Sequence, residues 1–319
     1  MSRILVTPRS VTAHGHVSLD RLKACGHEIV LGPKGRQPSE DELLELLPGC
    51  AGYLAGVEPV SARVLAAAAP SLRVISRNGT GIDSIDLTAA RALGIEVLTA
   101  SGANSRGVAE LTIGLLFALA RGIVSGNTSV KRGGWDRSPG FEVAGRTLGV
   151  LGYGNVGRQV SALALGLGMR VIVHDPVLPP AFVGTAPGPG DSERAVTFAP
   201  IEDILRQADV LTLHCPPLPG ARPLLNSTTL ALMRRGSYII NTARSDLIDA
   251  AAVLNALESG QIAGLALDVF SQEPPAKSAL LDHCKVICTP HLGGFTTESI
   301  DRAMDVAVGN LITALGPPA

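Results

Sequence analysis

Short apolar runs alternate with amphipathic stretches of helical period along most of this chain. Arg3 to Val6 is β-rich, Leu19 to Cys25 carries its apolar residues at helical spacing, and Glu28 to Leu31 is strand-like again. The rhythm continues with a helix over Glu40 to Leu47, a strand over Tyr53 to Ala55, a helix over Ala62 to Ala69, and strands at Val74 to Ser76 and Glu96 to Leu98. Strands separated by helices imply βαβ units and a parallel sheet.

Ser101 to Gly107 interrupts this pattern, and one long helical stretch follows from about Val108 to Val130. Gly133-Gly134-Trp135 and Ser138-Pro139-Gly140 form a loop, and a second series begins at Thr147. Its strands are Leu148 to Leu151, Val171 to His174, Val210 to His214, Tyr238 to Asn241, Gly264 to Asp268 and Val286 to Thr289. A helix lies between Val156 and Leu167, the Pro- and Gly-rich stretch from Pro176 to Asp191 reads as a surface loop, and Thr296 to Leu315 is a last helix. The order predicts an α/β protein of two Rossmann-like domains, each a parallel sheet flanked by helices. One is discontinuous, 1–101 with 291–319; the other, 102–290, is inserted into it. The active site is expected in the cleft between them.

Composition narrows the classes. With 46% hydrophobic and 17% charged residues a large core can be buried, which excludes global disorder. Aromatic residues are only 3%, so that core must be built of Ala, Val, Leu and Ile. A net charge of −1 leaves no electrostatic footprint for nucleic acid or an anionic membrane. No apolar stretch reaches the length of a membrane span, and Met1 to Arg9 has no signal-peptide pattern. Five scattered cysteines argue against a disulfide framework and for a reducing cytoplasm. Cys284 and Cys288 lack the two further ligands that zinc spacing needs, and His14-Gly15-His16 is read as loop; no metal site is expected.

Gly152-Tyr153-Gly154-Asn155-Val156-Gly157 fits G-x-G-x-x-G between a strand and a helix. Glycines there permit a tight turn and close approach to a pyrophosphate, and the helix N-terminus adds N–H groups and a positive dipole. Asp175, at the end of the next strand, is placed to accept from both ribose hydroxyls and to repel a 2′-phosphate, which favours NAD over NADP.

Three polar residues, Arg244, Glu273 and His291, each follow an apolar run of the same series that reads as a buried strand. Singly each is ordinary. Jointly they match the needs of reducing a 2-oxo acid. A guanidinium holds the carboxylate and polarises the ketone, an imidazolium protonates the developing alkoxide, and a carboxylate favours and orients that imidazolium. In oxidation the histidine accepts the hydroxyl proton instead. Arg9, Ser10 and Arg77 follow strands of the first series, with Arg9 and Ser10 in a loop, and are candidates for a second anionic group on the substrate.

Arg77-Asn78-Gly79-Thr80-Gly81-Ile82-Asp83, the 152–157 loop, His214-Cys215-Pro216, Asn241-Thr242-Ala243-Arg244, Asp268 through Pro274 and Thr289-Pro290-His291-Leu292-Gly293-Gly294 occur in the order seen in one family. Over essentially its whole length the chain resembles the D-isomer-specific 2-hydroxyacid dehydrogenases, of the phosphoglycerate dehydrogenase-like branch. The resemblance implies that Arg244, Glu273 and His291 are catalytic and that Asn78 and Gly79 hold the substrate carboxylate through the backbone. It implies that Asp268 bonds the nicotinamide carboxamide, that His214, Cys215, Pro216, Thr242, Ala243, Gly293 and Gly294 line the cofactor, and that the helix after Gly107 helps form a homodimer. Ser84 stands where the family often has Asn, and Ser245 where it usually has Gly. No regulatory domain is expected after Ala319.

The expected activity is therefore an NAD-dependent 2-hydroxyacid dehydrogenase, a 2-oxoacid reductase with NADH. A substrate with a second anionic group, such as 3-phosphoglycerate, is favoured; phosphonopyruvate, glyoxylate, hydroxypyruvate and phosphite are the alternatives. A reading of another class is an NAD(H)-sensing, corepressor-like binding protein.

Overall fold

The structure is a computed structural model that describes residues 2–178, 183–185, 195–217, 220 and 222–316. The chain divides into two compact units, Met1–Asn104 with Thr297–Ala319, and Ser105–Thr296. They change over at 104/105 and 296/297, where the sequence reading puts 101/102 and 290/291.

The first unit is built on β1 (Arg3–Val6), β2 (Glu28–Leu31), β3 (Cys50–Ala55), β4 (Val74–Arg77) and β5 (Glu96–Thr99), in the order β2-β1-β3-β4-β5. All four pairings are parallel. Side-chain alternation divides each strand between two faces. Leu5, Tyr53 and Ile75 pack with Leu43, Val64 and Leu65 of the helices Glu40–Leu46 and Ala62–Ala68. Ile4, Val6, Leu54 and Val74 pack with Met304, Ala307, Val308 and Leu311 of the C-terminal helix Thr297–Leu315. That helix lies so close to β3 that a Cβ at Gly52 would sit 2.9 Å from Leu315 Cδ1.

Arg9 and Ser10 lie not in a loop but in the first turn of a short helix, Arg9–His14. Pro8, at φ −54°, starts it; its carbonyl accepts from Val11 N and Thr12 N, and burial of Val11 and Thr12 holds the turn down. His16 also has a partner, Asp301 of the C-terminal helix, with Nε2 3.2 Å from Oδ1.

The second unit contains β6 (Thr147–Leu151), β7 (Arg170–His174), β8 (Val183–Thr185), β9 (Ala195–Phe198), β10 (Val210–Leu213), β11 (Ser237–Asn241), β12 (Ile262–Leu267) and β13 (Val286–Cys288). Their order is β13-β12-β11-β10-β6-β7-β9-β8, parallel except for β8 on β9. The chain leaves β6 toward β7 and returns to β10 on the other side, so the order reverses at β6. The carboxyl edge beside such a reversal is where open α/β sheets bind ligands. Val150, Val171 and Val173 form one face with Leu115 and Leu116 of the helix Ser105–Arg121 and Val160 of the helix Asn155–Gly166. Leu211, Leu213, Ile239 and Leu265 form the other with Ile204, Leu230 and Val253.

The single helix read to Val130 is two, Ser105–Arg121 and Ile123–Lys131, bent by 63° at Gly122, whose φ of +57° is left-handed. Most of the loop read at 176–191 lies outside the described residues; within it Val183–Thr185 pairs antiparallel with β9. The apolar run before His291 is not a buried strand, because β13 is the sheet edge and its residues are half-buried or exposed. Among the described residues no single helix is long and apolar enough to cross a membrane.

Candidate active site

The glycine loop leaves β6 at the point of reversal. Gly152 N donates to His174 O at the end of β7 (2.8 Å), and Gly152 adopts φ +96°. A Cβ there would lie 2.6 Å from the His214 carbonyl of the neighbouring strand end, so both conformation and space demand glycine. A Cβ at Gly157 would collide with the Gly152 carbonyl; this glycine lets the helix seat on the turn. Gly154 is different: nothing lies within 4 Å of a Cβ built there, so its surface is open to a ligand. Together these match what a pyrophosphate-binding turn requires.

Asp175 secures the loop. Its Oδ2 accepts from Tyr153 N (2.7 Å) and its Oδ1 from Val177 N (3.0 Å). A carboxylate has about four acceptor sites, so each oxygen keeps one for a ribose hydroxyl. The Tyr153 ring is buried against Phe198 at 5.2 Å and lies under the Arg158 guanidinium at 4.8 Å. Burial pushes the Cys215 thiol up, and the Asp175 charge adds to this. His214 ends the neighbouring strand with Nε2 2.9 Å from Thr212 Oγ1, and burial holds it down at about 3. It is therefore neutral at physiological pH. Pro216 is exposed beyond it.

The next three strand ends carry the candidate catalytic side chains. Arg244 follows β11 in a turn whose Thr242 is buried and meets Thr112 (Oγ1 to Oγ1, 3.1 Å). Ala243 is half-buried, and Arg244 Nη1 donates to the Ala243 carbonyl (2.8 Å). Asp268 follows β12 and is 1% exposed. Its Oδ1 accepts from Thr289 Oγ1 (2.6 Å) and Leu292 N (2.7 Å), and its Oδ2 from Gly293 N (2.8 Å). The buried carboxylate thus ties down both flanks of His291, which is why this histidine is held in the second unit. One acceptor site remains on Oδ2 for a further donor such as an amide.

His291 is the only non-glycine residue among the described ones with positive φ, at 54°. Such a conformation costs about 1–3 kcal/mol and persists only where its surroundings impose it. Asp268 supplies that imposition. The result is that Nδ1 stands 2.8 Å from each oxygen of Glu273, with both side chains partly open to solvent. Glu273 is itself steadied by Phe270 N at 3.3 Å. With Nδ1 engaged, Nε2 is the nitrogen left for proton exchange.

In the first unit, Arg9 and Ser10 are exposed after β1; Arg77 ends β4, and Asn78 and Gly79 follow it. The Arg77 guanidinium folds over Gly79, where a side chain would displace it, and Nη1 donates to the Asn78 carbonyl. The backbone N–H groups implied to hold a substrate carboxylate are already donated, Asn78 N to Ala55 O and Gly79 N to Arg77 O, both at 2.9 Å. As the loop stands they do not point outward; the guanidinium beside them is its cationic feature. Among the described residues, Asn78 Oδ1 is buried with no hydrogen-bond partner.

The model of the D-isomer-specific 2-hydroxyacid dehydrogenase NAD-binding domain matches residues 113–293. D-3-phosphoglycerate dehydrogenase of Rattus norvegicus is 41% identical over 267 residues, 83% of this chain and 48% of that protein. The enzyme of the same name from Methanocaldococcus jannaschii is 42% identical over 233 residues, 72% of this chain and 43% of that one. The chain therefore spans about half the length of the curated relatives it matches. A crystal structure of a Thermus thermophilus protein superimposes with a TM-score of 0.84 at 33% identity, covering 99% of this chain and 98% of that one. A glyoxylate reductase from Paecilomyes thermophila gives 0.85 at 26%, covering 99% and 95%. With the family model matched over more than half of its length, the chain belongs to the D-isomer-specific 2-hydroxyacid dehydrogenase family.

Proposed function

We propose that the chain is an NAD-dependent D-2-hydroxyacid dehydrogenase acting on a small anionic 2-hydroxy/2-oxo acid, with a second anionic group on the substrate favoured. The observation that carries this is the His291–Glu273 pair at the edge of the sheet whose other strand ends form the dinucleotide turn. The turn from Gly152 to Gly157 and Asp175 would hold the cofactor; Asp268, Thr242, Ala243, His214, Cys215, Pro216, Gly293 and Gly294 lie on the same edge. When bound there, NADH would supply the hydride that C2 of the oxo acid receives. The Arg244 guanidinium holds the carboxylate and draws the carbonyl electron pair onto oxygen. His291 Nε2 gives that oxygen its proton, while Glu273 holds Nδ1. Reversed, the imidazole takes the hydroxyl proton as the hydride leaves C2.

Arg9, Ser10 and Arg77 are proposed to meet the distal group. The 3-phosphoglycerate/3-phosphohydroxypyruvate pair is favoured by the names of the relatives near 40% identity. The deciding experiment is steady-state turnover of purified protein with NADH and NADPH against 2-oxo acids differing in the distal group. Preference for NADH and for a second anion is expected, with Arg9→Ala and Arg77→Ala raising KM for that substrate by about tenfold. Preference for NADPH would remove the Asp175 argument, and unchanged KM the distal-anion argument. Tight NADH binding without turnover on any acid would point to the sensor instead.

A homodimer is proposed through the helix Ile123–Lys131, which buries none of its residues in its own chain. Ile123, Val124, Val130 and Trp135 are 54%, 46%, 57% and 77% exposed, an apolar surface of the kind that marks a contact. Light scattering should give twice the chain mass, and Val130→Asp with Trp135→Asp should give the monomer. A wild-type monomer at micromolar concentration would refute the dimer. All five cysteines are free, in keeping with the proposed cytoplasmic setting.

A further inference from the structure

Arg244 sits on a turn that the ladder of β11 does not itself shape. The side chain that shapes it is Asn241, the last residue of β11 and 0% exposed. Its backbone belongs to the sheet: it is in register with Leu213 and Leu267, and its carbonyl accepts from Asp268 N (3.0 Å). Its carboxamide runs along the chain instead. Oδ1 accepts from Ala243 N (3.0 Å), an Asx turn, and Nδ2 donates to the Arg244 carbonyl (2.8 Å). That carbonyl also takes Leu247 N at 3.3 Å, which starts the turn Ser245–Leu247. The orientation of the amide is fixed by its partners, since an N–H only donates and a carbonyl only accepts.

We propose that Asn241 is the positioning residue for Arg244, setting the direction from which the guanidinium meets the substrate carboxylate. This rests on the reading of Arg244 as the carboxylate-binding cation. The turn needs an acceptor at residue 243 and a donor at residue 244 from one buried side chain. A carboxamide offers both; a carboxylate offers only the acceptor, and an alkyl group neither. Aspartate at 241 has nearly the same shape, but when ionised it turns an oxygen toward the Arg244 carbonyl. Protonated, it donates its O–H there and restores the pattern.

The test uses Asn241→Ala and Asn241→Asp in the full chain, with NADH binding followed by fluorescence and the binding of oxalate to the NADH complex as an anion probe. Thermal unfolding in NADH reports whether each variant is folded, and Asn241→Ser serves if either is not. Expected is a loss of about 10²-fold in kcat/KM for the best 2-oxo acid, the scale of a small misplacement of a positioning group. Oxalate affinity should fall with it and NADH affinity should hold within about twofold. The activity of Asn241→Asp relative to wild type should also rise as pH falls from 8 to 5.5, while that of Asn241→Ala stays flat. A merely structural role predicts the opposite split: lower thermal stability, with oxalate affinity unchanged or NADH affinity falling equally. Either result overturns the proposal. If wild-type protein neither binds oxalate nor turns over any 2-oxo acid, the failure belongs to the reading of Arg244.

Discussion

Replacing His291 by asparagine should lower kcat for 2-oxo acid reduction by about 10²–10⁴-fold, the range general acid catalysis contributes, and leave NADH affinity nearly unchanged. Asparagine rather than alanine isolates the chemistry. Residue 291 has φ 54°, which asparagine tolerates and which strains most other residues by about 1–2 kcal/mol. His291→Ala should therefore lose both activity and some thermal stability, His291→Asn mainly activity. The loop itself stays in place in both, because its ties to Asp268 come from Thr289, Leu292 and Gly293 and not from the imidazole. Stopped-flow reduction with bound NADH separates the chemical step from product release. A His291→Asn single-turnover rate within threefold of wild type would take this residue out of the proton transfer.

Much of this site is readable in the primary structure, and the reason is local. Each candidate catalytic side chain lies beyond the end of a β-rich run, and a parallel sheet places all such ends on one edge. The runs Arg3–Val6 and Glu28–Leu31 have the same limits in the sequence pattern and in the fold. The glycine motif is equally local: the positive φ of Gly152 and the collision a Cβ would meet at Gly157 are properties of one tight turn.

What the sequence hides is made by distance. Nothing near Asp268 shows that its carboxylate will be spent on residues 289–293, more than twenty positions on. Nor does the 78–79 motif reveal that its N–H groups turn to Ala55 and Arg77. The helix Arg9–His14 escapes because six residues carry too little periodicity, and burial of Val11 and Thr12 helps to hold it. The break at Gly122 is hidden in an otherwise continuous helical pattern, where one left-handed glycine redirects everything after it. Asn241 is visible as a letter of a motif, but its function depends on which partners its two polar atoms meet.

Arg244→Lys should reduce kcat/KM by about 10²–10³-fold, although the charge is kept. A guanidinium offers a planar fork that meets both carboxylate oxygens while keeping an N–H for the ketone; an ammonium is a point charge with one optimum. The loss should appear in KM, through the carboxylate held in the ground state, and in kcat, through the oxygen that gains charge as hydride arrives. Arg244→Ala should lose more. The comparison is informative because the residue 244 carbonyl stays held by Asn241 and Leu247 whatever side chain stands there, and only the bond from Arg244 Nη1 to the Ala243 carbonyl changes. NADH affinity should therefore stay near wild type in both variants, measured by fluorescence titration. If Arg244→Lys kept kcat/KM within threefold across the 2-oxo acid panel, a single charge would suffice at this position. The bidentate role assigned to Arg244, and with it the need for a turn fixed by a buried carboxamide, would then be wrong.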